Sequence, residues 1–333
     1  MEDQDLPTLV PEGRCEMHVV VLGCSPPWQE THVIAIKSLN LLEEEGQKSF
    51  KTECKVLGRI RQRNLIRVIS ACSYLNFKAL ILLFASNGSL EKYLYPDSVK
   101  EEDVCRLGLS ECLNIVIDVA HGMEYLHYDY PVQVVHCDLK PSNVLLDASM
   151  ATLVTDFGLS RLASSTNSMD SLSTTFSLRG YIGYIALEYG LGGRVSIKGD
   201  VYSYGIFLLE MVTRKRPTDA MFVVALNMQN WVRSAYPDRL MDIVDNKLLR
   251  NVNLLEQNRC LVSFIHVGLL CKNESPQERP TMRDVGRMLE SLKNILMGSV
   301  ESTSTLTTTI SNLVRNTNTG AVEGMSDSQS STF

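Results

Sequence analysis

The sequence predicts an α+β protein of two lobes, in which a small sheet-rich lobe with one main helix precedes a larger, mainly helical lobe. Up to residue 85, apolar residues recur mostly in short alternating runs, which are typical of strands. Beyond that point they recur at helical spacing over longer stretches. We therefore assign residues 1–11 to an N-terminal extension, 12–85 to the small lobe, 86–297 to the large lobe, and 298–333 to a Ser/Thr-rich tail that we expect to be disordered.

The composition excludes several classes of protein. Hydrophobic residues make up 44% and charged residues 21% of the 333 residues, as in an ordinary globular protein. The 32 basic and 38 acidic side chains give a net charge of −6, so the chain lacks the basic excess of a nucleic-acid-binding protein. The nine cysteines are odd in number and form no C-x-x-C pair, which predicts reduced thiols and neither a zinc site nor a disulfide framework.

The chain carries no predicted membrane segment. No strictly apolar run is longer than the seven residues of Ala79–Ala85, whereas a spanning helix needs about 20. The N-terminal residues are acidic and lack the apolar stretch of a signal peptide. We therefore expect a cytoplasmic location.

The elements of the small lobe follow from periodicity. Val33 to Lys37 alternates as a strand and places the lysine on the same face as Ala35. Lys48 to Arg61 predicts an amphipathic helix with Glu53 beside its apolar stripe. Two further strands are predicted at Leu65–Cys72 and Leu75–Phe84.

The larger lobe is predicted from two helical patterns. Leu113 to Met123 presents one apolar face. Val201 to Met211 is apolar nearly all round, which predicts a buried helix.

The strongest motif runs from His136 to Asn143 (H-C-D-L-K-P-S-N) and is followed, after a short apolar strand, by Asp156-Phe157-Gly158. Two such runs at this spacing resemble the eukaryotic protein kinase family. The resemblance covers about 33–297. It is closest to the kinase domain of plant leucine-rich-repeat receptor-like serine/threonine kinases, through the segments that begin at Gly183, Asp200 and Arg216.

This resemblance implies the bilobal protein-kinase fold and transfer of the ATP γ-phosphate to Ser or Thr hydroxyls of protein substrates, with Mg²⁺. Asp138 would accept or orient the proton of the substrate hydroxyl, and Lys140 would steady the γ-phosphate. Asn143 and Asp156 would hold the metal through oxygen ligands. Receptor or co-receptor kinases are the further partners that the resemblance implies.

The resemblance also implies a nucleotide site. Lys37 would hold the α- and β-phosphates, and Glu53 would fix that lysine. The adenine would lie between Ala35 and Leu145. Behind it would lie Leu82, and the backbone from Leu83 to Ala85 would supply hydrogen bonds.

Three scaffold features are implied as well. Glu188 would pair with Arg279 in a buried ion pair, and Asp200 would accept hydrogen bonds from the backbone of the catalytic loop. Leu57 would pack toward Phe157 and His136.

Several positions depart from the family pattern. The stretch before the strand lysine has Gly13 and Gly23 but no G-x-G-x-x-G, so the glycine lid over the phosphates is missing or replaced, by true divergence or by a mis-joined exon. Tyr181 stands in place of a threonine that bridges the catalytic aspartate and lysine, and Leu187 in place of a proline. These changes predict weak or lost turnover.

Cys137 replaces an arginine that pairs with an activation-loop phosphate in many kinases. Its absence predicts that activity does not depend on a single such phosphate. Among plant receptor kinases this non-arginine form implies signalling in defence. The hydroxyl-rich stretch between Gly158 and Gly180 would be either a phosphorylated activation loop or simply a flexible polar loop.

Two alternatives to a serine/threonine protein kinase remain at this point. The first is a pseudokinase, which would bind and scaffold partners with the same fold. The second is a small-molecule phosphotransferase, which Glu188, Asp200 and Arg279 disfavour because they complete a protein-kinase type of segment.

Overall fold

The structure is a computed structural model that describes residues 15–22, 32–39, 44–74, 77–96, 107–162, 183–222, 227–248 and 254–297. Four of our predictions concern residues outside these ranges. They are the N-terminal extension, most of the hydroxyl-rich stretch, the effect of Tyr181 on turnover and the disordered tail.

The N-terminal region contains a four-stranded antiparallel sheet. Its strands are β1 (Cys15–Leu22), β2 (His32–Leu39), β3 (Val68–Tyr74) and β4 (Phe77–Leu83), in the order β1-β2-β4-β3. β1 pairs with β2 along its full length although the glycine motif is absent from this hairpin. The predicted lysine strand is β2.

The strand predicted from Leu65 starts later, at Val68. Leu65 forms only an isolated parallel bridge to Val154, and the Ile66 amide donates to the Val154 carbonyl at 2.9 Å. Leu65 and Ile66 are buried, so their apolar character reflects packing against the large lobe and not membership of the sheet.

Helix α1 (Glu44–Leu57) packs on this sheet, and it lies about one turn earlier than predicted. The predicted end was wrong because Ile60 continues the apolar spacing of Leu57 while belonging to the turn that follows. The Ile60 amide donates to the Leu57 carbonyl at 3.3 Å. Phe50 and Leu57 are buried, and Cys54 is half-buried, as the predicted stripe requires.

The C-terminal region is mostly helical. Its helices are α2 (Leu90–Leu94), α3 (Leu109–Glu124), α4 (Leu187–Gly190), α5 (Ile197–Thr213), α6 (Met228–Ala235), α7 (Leu254–Cys271) and α8 (Met282–Leu296). α5 packs on α7, and α3 packs on α8. α5 is buried from Gly199 to Thr213, which confirms the predicted central helix.

Among the described residues, five short strands lie between β4 and α4 in sequence, and they hold two loops side by side. They are β5 (Gly88–Ser89), β6 (Val134–Val135), β7 (Val144–Leu146), β8 (Thr152–Val154) and β9 (Arg161–Leu162). β5, β7 and β8 form one sheet, and β6 pairs with β9. The loop between β6 and β7 therefore runs beside the loop between β8 and β9.

Two features are absent from the part of the chain that the structure describes. No helix in these ranges is long and apolar enough to cross a membrane. Nor do the described histidines, cysteines and carboxylates form a group of three that could hold a metal ion.

Candidate active site

A buried lysine joins three elements at the centre of the site. Lys37 on β2 contacts Glu53 on α1, with 2.6 Å between Nζ and Oε1. The same Nζ lies 2.8 Å from Oδ1 of Asp156, in the loop after β8. Residues far apart in sequence thus meet around one ammonium group.

The two carboxylates of this cluster differ in their ionisation. Burial raises the pKa of Glu53 to about 7, although the charge of Lys37 opposes this change. Partial desolvation also favours the neutral form of Asp156, but Lys37 outweighs it and holds the pKa of Asp156 below its ordinary value. Since the Asp156 side chain is 40% exposed, an ionised carboxylate faces the open side of the site.

Asp200 on α5 holds the loop between β6 and β7. This carboxylate accepts hydrogen bonds from the amides of His136 (2.8 Å) and Cys137 (2.9 Å), as the resemblance implied. Cys137 adopts a left-handed conformation with φ of 70°, which costs energy in a residue other than glycine. The two hydrogen bonds stabilise this turn and so set the direction of the next residue, Asp138.

Asp138 lies in a nearly closed environment with two polar neighbours. Nδ2 of Asn143 donates to its Oδ2 (2.9 Å) and to its carbonyl (2.8 Å), and Nζ of Lys140 is 3.4 Å from Oδ2. Desolvation raises the pKa of Asp138, while the nearby Lys140 lowers it. Because the amide nitrogen of Asn143 is directed to Asp138, its Oδ1 is the atom left for a cation.

His136 packs against the loop that carries Asp156. The rings of His136 and Phe157 meet edge to face at 4.8 Å, and Nε2 of His136 lies 3.0 Å from the Thr155 carbonyl. Phe157, His136 and Leu57 are all fully buried. Asp156 itself has a φ of 65°.

The residues predicted for adenine lie on β2, on β4 and the segment after it, and on β7. Ala35 is the register partner of Leu82 across β2 and β4, and both are buried. Ala85 is buried, Leu83 is exposed, and Leu145 on β7 is half-buried. Since the Leu83 amide already donates to the Arg67 carbonyl at 3.2 Å, a base would meet the carbonyl of Leu83 and not its amide.

The predicted ion pair between Glu188 and Arg279 is present and bidentate, with distances of 2.7 and 2.8 Å. The guanidinium also donates to the carbonyls of Asn273 (2.8 Å) and Lys198 (2.9 Å). It lies 5.0 Å from the centre of the Tyr202 ring. This pair fixes the segment around α4 to the region before α8.

Sequence reasoning missed two buried groups. His127 lies 2.9 Å from Asp200 and is fully buried, so it supports the carboxylate that accepts hydrogen bonds from the amides of His136 and Cys137. Glu210 on α5 accepts hydrogen bonds from the hydroxyls of Tyr95 (2.6 Å) and Tyr184. A glutamate inside an otherwise apolar helix was the available signal for the second group.

Comparison with known proteins identifies the family. The sequence profile described as "Protein tyrosine and serine/threonine kinase" matches residues 13–289, which is more than half of the chain. This match and the observed sheet and helical regions confirm the predicted bilobal kinase fold.

Three relatives illustrate the similarity. A leucine-rich repeat receptor-like serine/threonine-protein kinase of Arabidopsis thaliana is 44% identical over 79% of this chain and 28% of its own length. Receptor kinase-like protein Xa21 of Oryza sativa subsp. japonica is 39% identical over 80% of this chain and 27% of its own. The LRR receptor-like serine/threonine-protein kinase EFR of Arabidopsis thaliana is 39% identical over 81% of this chain and 26% of its own.

The chain thus spans about a quarter of the length of these relatives. It belongs to the protein tyrosine and serine/threonine kinase family and is similar, within that family, to the receptor-like serine/threonine kinases of plants.

Proposed function

We propose that the chain is an active serine/threonine protein kinase that transfers the γ-phosphoryl group of ATP, with Mg²⁺, to protein hydroxyls. The observation that carries the proposal is the meeting of Lys37 with Glu53 and Asp156, beside the pair of Asp138 and Asn143. Phosphoryl transfer needs positioned charge around the transferring group, and this arrangement supplies both signs.

The donor set fits a nucleotide with a hard divalent cation. The exposed side of Asp156 and Oδ1 of Asn143 offer oxygen ligands of the kind that Mg²⁺ prefers. ATP with its cation, when bound, supplies the γ-phosphoryl group. Lys37, fixed in place by Glu53, binds phosphate oxygens as a point charge.

Asp138 orients the substrate hydroxyl and accepts its proton. Asn143 holds the carboxylate at 2.9 Å, so the acceptor oxygen has a set direction. Lys140, at 3.4 Å, favours the ionised form of that carboxylate against the desolvation that raises its pKa, and it contributes positive charge near the transferred group.

Transfer of radiolabelled phosphate to a Ser/Thr-containing protein substrate tests this function. Asp138→Asn keeps the shape of the side chain and removes the base, so we expect a rate at least ~100-fold lower. Asp129→Asn is the matched control because Asp129 is exposed and pairs only loosely with Arg283, at 3.4 Å. Equal rates in the Asp138 variant and the parent would contradict the proposal.

The second candidate is a pseudokinase. It is favoured by the missing glycine motif and by Tyr181 and Leu187, which depart from the family pattern. It predicts nucleotide binding by calorimetry together with no transfer above that of the Asp138 variant. Measuring both quantities on the same preparation separates the two candidates.

We propose the cytoplasmic face of the plasma membrane as the location, with receptor or co-receptor kinases as partners. The support is the similarity to receptor-like kinases that are about four times longer than the matched region. The non-arginine residue Cys137 supports a role in plant defence signalling by family resemblance. Co-precipitation of the chain with a membrane fraction tests the location.

A further inference from the structure

Ser49 occupies the contact between α1 and the loop that carries Asp156. It lies one turn before Glu53 on α1, and its side chain is half-buried. A Cβ added to Gly158 would overlap Oγ of Ser49 and would lie 3.2 Å from both Ser49 Cβ and Glu53 Oε1. The space between α1 and Gly158 therefore has no room for even one added carbon.

The same space is already rich in negative charge. Oγ of Ser49 lies 3.4 Å from Oε1 of Glu53, and that carboxylate shares Lys37 with Asp156. A phosphoserine carries about −1.5 to −2 charges at neutral pH. Placed at Ser49, it would add this charge beside two carboxylates and would also need volume that the packing does not provide.

We propose that Ser49 is an inhibitory phosphorylation site, whose modification is incompatible with the contact of Lys37 with Glu53 and Asp156. A serine-directed protein kinase would use ATP for this step. The bond between the γ-phosphorus and the β–γ bridging oxygen breaks, a bond from Oγ to phosphorus forms, ADP leaves, and the hydroxyl proton passes to solvent.

The contact of Ser49 with Gly158 gives the steps of this modification an order. Because Oγ of the half-buried Ser49 lies against Gly158, the full hydroxyl is open to a modifying enzyme once α1 has moved away from that glycine. The phosphate then prevents the return of α1, since the gap cannot hold it. The modification thus traps the chain in a form in which Glu53 no longer fixes Lys37.

The inhibitory effect is tested on the full chain with phosphoserine encoded at position 49. Amide hydrogen exchange over 44–57 should become at least tenfold faster, and the affinity for ATP with Mg²⁺ should fall at least tenfold. Phosphoserine at position 52 is the matched control: the Thr52 hydroxyl is on the same helix and bonds to the Lys48 carbonyl at 2.9 Å, whereas the atoms nearest to a Cβ on Gly158 belong to Ser49 and Glu53. That variant should stay within twofold of the parent in both measurements.

Ser49→Ala distinguishes a regulatory site from a packing residue. The hydrogen bond that it removes is long, so both measurements should stay within twofold of the parent. Unchanged exchange and affinity in the phosphoserine variant, or an equal loss in the alanine variant, would overturn the proposal. This proposal rests on the proposed function, because it assumes that the cluster of Lys37, Glu53 and Asp156 binds nucleotide. Hydrogen exchange is measured without ATP. If the parent chain binds no ATP, the proposed function is refuted, but the exchange measurement still tests the role of Ser49.

The occupancy of the site is tested by mass spectrometry of the chain isolated from the cells that express it. Phosphate on Ser49 supports the assignment. A Ser49 peptide that is found only unmodified overturns it.

Discussion

Two charged clusters in this protein differ in how their charges are paired and in how far they are exposed to solvent. Arg279 is fully buried and has a bidentate carboxylate partner together with two backbone carbonyls. Lys37 is buried as well, but it is shared between Glu53 and Asp156, and Asp156 is 40% exposed. In the first cluster the guanidinium is fully buried and its carboxylate partner Glu188 is 20% exposed, whereas in the second the exposed fraction of the Asp156 carboxylate is twice as large.

The difference follows from whether a cluster only joins protein segments or also binds a ligand. A buried charge without full hydrogen bonding is costly, so a charge that only holds segments together must be satisfied by the protein. A charge that binds a ligand must give up part of its surroundings when the ligand arrives. The exposed side of Asp156 and the shared Lys37 are consistent with that second use.

The largest expected effect is on the Arg279 cluster. Arg279→Ala should lower the free energy of unfolding by about 3–5 kcal/mol, because it removes one partner of a buried pair. Urea denaturation measures this loss. Arg283→Ala is the control: its pair with Glu124 is at the surface, with Arg283 45% exposed, and should contribute at most about 1 kcal/mol. Similar losses in both variants would contradict the contrast between the clusters.

Glu210 tests whether a buried carboxylate can be held by hydroxyls alone. Burial raises its pKa from 4.5 to about 7, although the hydroxyls of Tyr184 and Tyr95 favour the ionised form. Glu91 and Arg216, which also face it, carry opposite charges and form an ion pair with each other at 3.1 Å.

Because the folded state binds the Glu210 proton more tightly, the stability that this residue contributes is complete below pH 4.5 and is lost as the pH rises to about 7. Relative to the Glu210→Gln variant, the free energy of unfolding of the parent should fall by about 3 kcal/mol over this pH range, at ~1.4 kcal/mol for each pH unit. Parallel stability curves for the two proteins would refute this.

Lys37→Met should affect binding much more than folding. Glu53, whose pKa is already raised to about 7, can take up a proton when the lysine is gone, and Asp156 keeps contact with solvent because it is 40% exposed, so the free energy of unfolding should fall by less than in Arg279→Ala. The affinity for ATP should fall at least tenfold, which corresponds to ~1.4 kcal/mol. Calorimetric titration and urea denaturation of the same variant measure the two quantities. A loss of stability as large as that of Arg279→Ala would remove the distinction between the clusters.

The smallest effect is expected at Leu187, beside the Arg279 cluster. It is the first residue of α4 and is 52% exposed, and Ala186 before it is extended with φ of −62° and ψ of 139°. Proline suits this position, so Leu187→Pro should raise the free energy of unfolding by about 0.4–1 kcal/mol. Thermal denaturation measures it, and a fall in the melting temperature would show that the leucine itself stabilises the segment.

The sequence alone indicated which polar residues meet in the cluster, because most of them stand in two local motifs. His136 to Asn143 and Asp156 to Gly158 are short runs whose members act together, so their spacing survives in the sequence. Lys37 and Glu53 were predicted from the same resemblance, and the structure brings them to 2.6 Å. The predicted ends of α1 were wrong because apolar periodicity cannot distinguish a helical turn from the buried turn that follows it.

Only the tertiary structure decided the groups whose partners come from distant elements. His127 lies against Asp200, 73 positions away, and Glu210 joins Tyr95 and Tyr184 from two other segments. The close approach of Ser49 to Gly158 is likewise invisible in the sequence, where each is an ordinary small residue. Periodicity and motifs record which face of an element is apolar and which neighbours act together, whereas burial and pairing depend on how separate elements meet in space.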